Sequence, residues 1–319
     1  MKKLLAAFLS VALAGSLLAA CSSQSAGSSG SSGDAGSSSA SSGASASSAA
    51  SGSSSSQSDA GSPEDLSSMV IDPPYDFDPN EMLPKDFGPY FETEYPDCEV
   101  STYPIMEGTD YQNEVTVISS PEDGPTIYVI AGVHGDEQAA WLTGNLLKKI
   151  GIKAGTLYIL SPANPWGAAQ EVPTRYVTGE EDLNRSFPGD ENGSVAEQVA
   201  AAIFADVQRA APDFVFDLHE ARIVSSNSDF LGSSLIFTSL DGMEAMFMEM
   251  IMESEMGNLG SRPFNYYSPG PEGSVNNTIT NTLHVPVITV ETFRGYEMAE
   301  RIGDQLAVVQ YVMNYYGMV

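Results

Sequence analysis

The sequence is poor in basic residues. Only 13 lysines and arginines stand against 42 aspartates and glutamates, which gives a formal net charge of −29. A surface of this sign repels nucleic acid and anionic lipid headgroups, so we expect neither nucleic acid nor direct lipid binding by the folded part of the chain. An anionic small molecule would need a local cluster of arginines to overcome this overall field.

Cysteine is almost absent as well, with only Cys21 and Cys98. Lys2 and Lys3 precede an apolar stretch over residues 4–18, which is too short to span a bilayer comfortably and has the flanks of a signal peptide. The segment Leu-Ala-Ala-Cys that ends at Cys21 resembles the cleavage site of bacterial lipoproteins. We therefore predict a signal peptide over residues 1–20 and lipidation of Cys21, with an ordinary secretory peptide as the alternative.

The expected location is extracytoplasmic, on a bacterial membrane through the lipid anchor. Because Cys21 is assigned to the lipid, Cys98 is left unpaired and no internal disulfide is expected. Residues 21–62 are nearly all Ser, Gly and Ala, a composition typical of a disordered tether. At roughly 5–6 Å times the square root of residue number, about forty such residues reach about 35 Å.

The remaining sequence is long enough for one α/β domain. Residues 63–95 form an irregular lead-in rich in Pro, Asp and Phe, and the folded domain is expected over residues 96–319. Apolar patterning predicts strands over 114–119, 126–132, 155–164, 213–220, 234–239 and 286–291. It predicts helices over 137–149, 194–210, 243–256 and 298–315, the second with a capping box of Ser194 and Glu197. The alternation predicts an α/β fold with a mixed, mostly parallel sheet flanked by helices.

Histidine is the third scarce residue type, with three in the chain. His134 follows a predicted strand and lies three residues before Glu137, so a strand-to-helix turn can bring both side chains to one point. His219 ends another predicted strand, on the same face as Asp217. Imidazole and carboxylate ligands suit Zn²⁺, although such a pair also occurs by chance on helix surfaces. His284 matches no motif, and we interpret it as structural.

Two further segments carry polar groups where chemistry is expected. The turn-rich stretch 161–190 contains Arg175, Asp182, Asn184 and Arg185, which are either solvated loop charges or a guanidinium fork for a carboxylate with a donor for a carbonyl. Glu291 ends the apolar strand of "PVITVETFRG". A carboxylate there would be costly if it were buried and unpaired, but near a metal it could act as a base.

Together these motifs resemble the succinylglutamate desuccinylase/aspartoacylase family of the zinc carboxypeptidase-like superfamily. The matching motifs are H-G-D-E, N-P, an arginine, D-L-N-R-x-F-P-G, D-L-H and V-E, in family order over roughly residues 110–295. The resemblance implies a zinc carboxypeptidase-like fold and a zinc hydrolase catalytic domain over 96–319. It implies one Zn²⁺ per chain, held by His134, Glu137 and His219, with Asp182 orienting His134.

The resemblance also implies roles for groups that touch substrate. Glu291 would be general base and then general acid, Arg175 would polarise the scissile carbonyl, and Asn184 with Arg185 would hold a substrate carboxylate. The segment "YYSPGPEGSVNN" resembles the tyrosine-bearing loop of carboxypeptidases, in which Tyr267 or its neighbour would close over substrate. The alternative for that segment is a Pro/Gly loop with surface aromatics.

Three departures from the family pattern bear on the site. Glu220 and Ala221 follow the D-L-H motif where small or polar residues are common, so Glu220 adds negative charge beside the metal unless strand alternation turns it away. Arg175 lies nine residues before Asn184, in a lengthened loop. Only 28 residues follow Glu291, so we expect no additional β-rich domain of the aspartoacylase kind and a more open site.

The leading hypothesis is a zinc-dependent hydrolase that cleaves an amide bond next to a carboxylate, as a deacylase of N-acyl amino acids. A zinc carboxypeptidase that acts on extracytoplasmic or cell-wall peptides is the alternative. A non-catalytic zinc- or ligand-binding lipoprotein is an alternative of another class, which the presence of Glu291 disfavours.

Overall fold

The computed structural model describes residue 95, residues 97–222 and residues 231–319. The chain divides into two compact units, residues 1–58 and 59–319, and all described residues belong to the second. The predicted signal peptide, Cys21, the tether and nearly all of the lead-in over 63–95 lie outside the described residues. In the described part, no helix is both long and apolar enough to cross a membrane.

One eight-stranded sheet forms the centre of the described fold, with the order β1-β2-β4-β3-β5-β8-β6-β7. The strands are β1 Glu99–Ile105, β2 Asn113–Ser119, β3 Thr126–Ala131, β4 Thr156–Leu160, β5 Phe214–Ala221, β6 Ser234–Phe237, β7 Asn265–Tyr267 and β8 Val287–Phe293. The central strands β4, β3, β5 and β8 are parallel, while β1 and β2 pair antiparallel with their neighbours. Strand β6 pairs antiparallel with β8 and parallel with β7. The predicted mixed, mostly parallel sheet is confirmed.

Helices cover both faces of this sheet. They are α1 Gln138–Leu147, α2 Pro165–Ala168, α3 Val195–Ala210, α4 Glu244–Glu255, α5 Val275–Leu283 and α6 Met298–Tyr315, with a 3₁₀ turn at Leu183–Arg185. Buried residues of α1, α4 and α6 share one apolar cluster with one face of the sheet, and α3 and α5 share another cluster with the opposite face. Each strand of the parallel centre is therefore buried on both sides, as its nearly unbroken apolar sequence requires.

Strand β5 shows how the sequence divides these two faces. Phe216 and Leu218 pack with α1 and α6, while Val215 packs on the α3 and α5 side. Because side chains alternate along a strand, Asp217 and His219 continue the face of Val215, and Glu220 continues the face of Leu218. At the carboxyl end of β5, neighbouring polar side chains therefore point to opposite faces of the sheet.

Five elements of the described fold were not predicted from the sequence: β1, β7, α2, α5 and the 3₁₀ turn. The strand predicted over 155–164 was wrong at its carboxyl end, since β4 ends at Leu160. Pro162 has no backbone donor for the ladder, and Asn164 then caps α2 through its side chain, with Pro165 in the first turn. The capping box of Ser194 and Glu197 at α3 is confirmed, and Cys98 is a free thiol.

Candidate metal centre

Polar side chains meet where three parallel strands end. His134 follows β3, and His219 lies near the carboxyl end of β5. Glu291 lies in β8 directly beside His219, since these two residues are register partners. Open α/β sheets bind ligands at the carboxyl ends of their strands. The three residues therefore lie at the carboxyl-terminal end of the central strands, where a ligand site is expected.

Two imidazoles and one carboxylate converge at these strand ends. The Nδ1 atoms of His134 and His219 each lie 2.7 Å from an oxygen of Glu137, one from Oε1 and the other from Oε2. All three side chains are buried, and their ligand atoms lie within 4.8 Å of one another. Two nitrogens and one oxygen at this spacing are the ligand set of a catalytic divalent metal that keeps an open position. The residues present therefore fit a metal ion.

The second nitrogen of each imidazole meets an aspartate. Nε2 of His134 lies 3.0 Å from Oδ1 of Asp182, and Nε2 of His219 lies 2.8 Å from Oδ1 of Asp217. Asp217 is fully buried and also accepts a hydrogen bond from the Thr289 hydroxyl at 2.8 Å. Carboxylates in this position fix the ring and its tautomer, so that the opposite nitrogen can face a metal. Asp217 was not predicted to have this role, although strand alternation had placed it on the face of His219.

The loop between β3 and α1 can take this path only with glycine at position 135. A Cβ atom there would lie 2.3 Å from the backbone nitrogen of Ala168, so any larger residue would displace α2. Helix α1 then begins directly after Glu137, whose amide donates to the carbonyl of His134 at 3.2 Å. This tight turn brings His134 and Glu137 to the same point.

Charge around the cluster follows from these contacts. Burial alone would raise the pKa of Glu137, but the two adjacent imidazoles hold it well below its usual value. Burial would lower the pKa of His219, yet Asp217 and Glu137 hold it well above its usual value. The pKa of Asp182 is also below its usual value, because His134 and Arg175 outweigh the effect of burial. Glu137 and Asp182 are therefore anionic at neutral pH.

Glu291 differs from these carboxylates. Burial raises its pKa to about 7, despite the proximity of His219. It lines the cavity beside Glu137 and His134. A carboxyl group in this position can exchange a proton with a molecule in the cavity.

The structure brings the predicted polar loop residues to the same cavity. Arg175 contacts Asp182 through Nε at 3.0 Å and lies 3.1 Å from Nδ1 of His134 through Nη1. Asn184 is buried, with Nδ2 3.3 Å from Nε2 of His219 and Oδ1 accepting from the Val275 amide. Arg185 is exposed, so its guanidinium can reach a ligand, whereas the amide of Asn184 is largely committed to internal contacts.

The cavity has a volume of about 390 Å³. Its wall includes seven of the site residues that were predicted from the sequence, namely His134, Glu137, Arg175, Asn184, Arg185, Tyr267 and Glu291. Tyr267 lies on the short strand β7 rather than in a loop, and is 41% exposed. Ile236, Pro269 and Pro271 form an apolar part of the wall. His284 ends α5 in a left-handed conformation and does not line this cavity.

Arginine is concentrated around the cavity. Of the seven arginines in the sequence, Arg175, Arg185 and Arg222 line it. These three are the local cationic groups that an anionic ligand would need in so acidic a chain. Behind the wall, Nη2 of Arg294 lies 3.6 Å from Oε1 of Glu137, and Arg301 pairs with Glu220. Sequence reasoning missed Arg222, Arg294 and Arg301, because none belongs to a recognised motif. Asp136, which had no predicted ligand role, pairs with Arg294 at 3.0 Å.

Fold and cluster together define an α/β protein with a candidate metal centre at the carboxyl ends of its parallel strands. A family model described as succinylglutamate desuccinylase/aspartoacylase catalytic domain matches residues 123–309, more than half of the chain. The chain belongs to this family of hydrolases. No curated protein gives a significant sequence match.

Solved structures with the same fold include an aspartoacylase family protein from Mesorhizobium loti. It has 22% identity and a TM-score of 0.53 over 72% of this chain and 70% of that one. A succinylglutamate desuccinylase from a Silicibacter species has 16% identity and a TM-score of 0.52 over 71% and 70%. A metallo-carboxypeptidase from Burkholderia cenocepacia has 16% identity and a TM-score of 0.51 over 70% and 66%. At these identities the likeness establishes the zinc carboxypeptidase-like fold alone.

Proposed function

We propose that the chain is a zinc-dependent hydrolase that cleaves an amide bond next to a carboxylate, as a deacylase of N-acyl amino acids. The observation that carries the proposal is the convergence of two Nδ1 atoms and the Glu137 carboxylate beside Glu291. Family membership supports the reaction class. The ligand set and the arginines around the cavity support zinc and an anionic substrate.

His134, Glu137 and His219 would hold one zinc ion per chain, with Asp182 and Asp217 fixing the two imidazoles. When bound, zinc supplies a Lewis acid and lowers the pKa of water towards neutrality. The remaining chemistry falls to side chains on the cavity wall.

Glu291 handles the proton in this proposal. It accepts a proton from the water that attacks the amide carbon and then delivers that proton to the nitrogen as the carbon–nitrogen bond breaks. The second proton of the water also passes to the nitrogen, so the products are a carboxylate from the acyl group and a protonated amine. Since Glu291 lies beside His219 in the sheet, the pairing of β5 with β8 fixes the positions of both residues.

Two arginines act on different parts of the substrate. Arg175, held by Asp182, faces the centre and stabilises negative charge on the carbonyl oxygen in the transition state. Arg185, exposed on the cavity wall, binds the substrate carboxylate, and its guanidinium is anchored by a hydrogen bond that it donates to the backbone carbonyl of Asn184. Blocking that carboxylate should therefore reduce turnover strongly.

A substrate panel on the zinc-loaded full chain tests the proposal. Acetyl- and succinyl-amino acids with free and with esterified carboxylates would be compared for release of amine. We expect turnover of the free acids and a loss of at least tenfold on esterification. Equal rates with free and blocked substrates would contradict the role of Arg185, and no turnover of any acyl-amino acid would contradict the deacylase.

A carboxypeptidase is the second candidate, because Tyr267 stands exposed at the cavity wall where it can close over a peptide end. In this case short peptides with free C-termini would be cleaved and acetyl-amino acids would not. Tyr267→Phe would then raise KM for peptides. The same panel, extended to peptides with free and amidated C-termini, separates the two activities.

We also propose that the chain is an extracytoplasmic lipoprotein, anchored to a bacterial membrane through Cys21. The basic, apolar and small-residue segments of residues 1–21 support this location. Metabolic labelling with a fatty acid tests it. We expect label on the native chain and none on Cys21→Ser, and equal labelling of both would refute the anchor.

A further inference from the structure

Helix α1 begins at the candidate metal ligand, and this creates a conflict for its first turn. The first amides of a helix have no partner within the helix and normally bind the side chain of the N-cap residue. Here the N-cap residue is Glu137, and its side chain makes no capping hydrogen bond among the described residues because its carboxylate faces the two imidazoles. Another group has to satisfy this helix end.

Glu220 of β5 is that group. Its Oε2 accepts a hydrogen bond from the amide of Ala139, the second residue of α1, at 2.9 Å. Its own backbone amide donates to Oε2 of Glu137 at 3.1 Å. Glu220 therefore fixes Glu137 in two ways. Its backbone amide binds the Glu137 carboxylate, and its side chain binds the helix that follows Glu137.

Helix α6 completes the arrangement. Arg301 pairs with Oε1 of Glu220, whose side chain is only 1% exposed. One turn later, Gln305 donates to the backbone carbonyl of His219 at 2.8 Å. A buried carboxylate is costly without a cationic partner, and the positive end of a helix favours an anion. Arg301 and the α1 amide are the cationic and dipolar partners that a carboxylate in this buried position needs.

We propose that Glu220, with Arg301, is a positioning pair that orients Glu137 towards the metal. The pair replaces a helix cap that Glu137 cannot provide while it serves as a ligand. Strand alternation turns the Glu220 side chain to the α1 and α6 face, so its carboxylate holds the helix that follows Glu137 instead of competing for the ion. The inference rests on the proposed metal site and assigns a task to residues outside the recognised motifs.

Zinc affinity of the full chain, measured by competition with a chromophoric chelator, tests the pair without any assay of turnover. We expect Glu220→Ala to bind zinc about 10- to 100-fold more weakly than the native chain, the usual effect of losing an outer-shell partner. Glu220→Gln keeps an acceptor for Ala139, so it should recover part of that loss. The absorption bands of the Co²⁺-substituted protein should shift in Glu220→Ala, because Glu137 changes its orientation.

Glu197→Ala is a matched control, since Glu197 also accepts from a backbone amide at a helix start, that of Ser194 at 2.7 Å. It should lower stability and leave zinc affinity unchanged. Equal zinc affinity in the native chain and Glu220→Ala, or an equal loss of affinity in Glu197→Ala, would overturn the proposal.

A second variant covers the case in which Glu220→Ala does not fold. The double variant Glu220→Gln with Arg301→Met removes both charges and must still weaken zinc binding at least threefold. Absence of zinc binding by the native chain would instead overturn the metal site itself.

Discussion

Replacing Asp217 by alanine should weaken metal binding and destabilise the fold, by different amounts. Asp217 is fully buried and holds two groups, Nε2 of His219 and the Thr289 hydroxyl, each at 2.8 Å. Its removal leaves two buried donors unsatisfied, at about 1–3 kcal/mol each, so we expect a loss of about 2–6 kcal/mol in the free energy of unfolding. The freed imidazole should reduce zinc affinity by about 10- to 100-fold, or about 1.4–2.7 kcal/mol.

The two effects can be measured separately. Urea unfolding of the metal-free chain reports stability, and chelator competition reports zinc affinity of the folded chain. Asp206→Ala is the matched control, because Asp206 is also buried and accepts from two hydroxyls, those of Tyr103 and Tyr128, at 2.7 Å each. It should lose stability and keep native zinc affinity. The reasoning is refuted if Asp217→Ala binds zinc as the native chain does, or if the two variants lose affinity equally.

Three further predictions concern substrate, metal and pH. Arg185→Ala should raise KM about tenfold or more for substrates with a free carboxylate and leave KM for their esters unchanged, in steady-state kinetics. Removal of zinc by a chelator should lower Tm, since zinc at 100 times its Kd contributes about 2.7 kcal/mol, and an unchanged Tm would argue against the centre. Burial lowers the pKa of Lys148 from 10.5 to about 8. Between these values the unfolded chain binds more protons, so stability should rise with pH, and urea unfolding of Lys148→Met should show a smaller rise.

Much of the fold was predictable because the parallel centre is apolar on both faces. About half of the residues in β3, β5 and β8 are Val, Ile, Phe or Leu. The periodicity of α3 and α6 placed these helices within a residue of their observed ends. Strand β1 was missed because it is an exposed edge strand, with Val100 58% exposed, and carries no apolar alternation. Helix α5 was missed because its sequence "VNNTITNTL" has low helix propensity and depends on tertiary packing and the Ser274 cap.

The candidate site was predictable where residues stand at strand ends, as His134, His219 and Glu291 do. The supporting contacts were not, because they join segments far apart in sequence. Arg301 reaches Glu220 from a helix 81 positions later, and Arg294 reaches Asp136 across 158 positions. No local pattern specifies such pairs, since only the packing of α6 and β8 against the β3–α1 loop brings them together.

The central claim is that Glu291 moves the proton while His134, Glu137 and His219 hold zinc. Glu291→Gln tests this claim most directly, with zinc content and turnover measured on the same preparation. We expect one zinc per chain in both native protein and variant, and a loss of turnover of at least about a hundredfold in the variant. Native turnover by zinc-loaded Glu291→Gln, or loss of zinc together with turnover, would contradict the account.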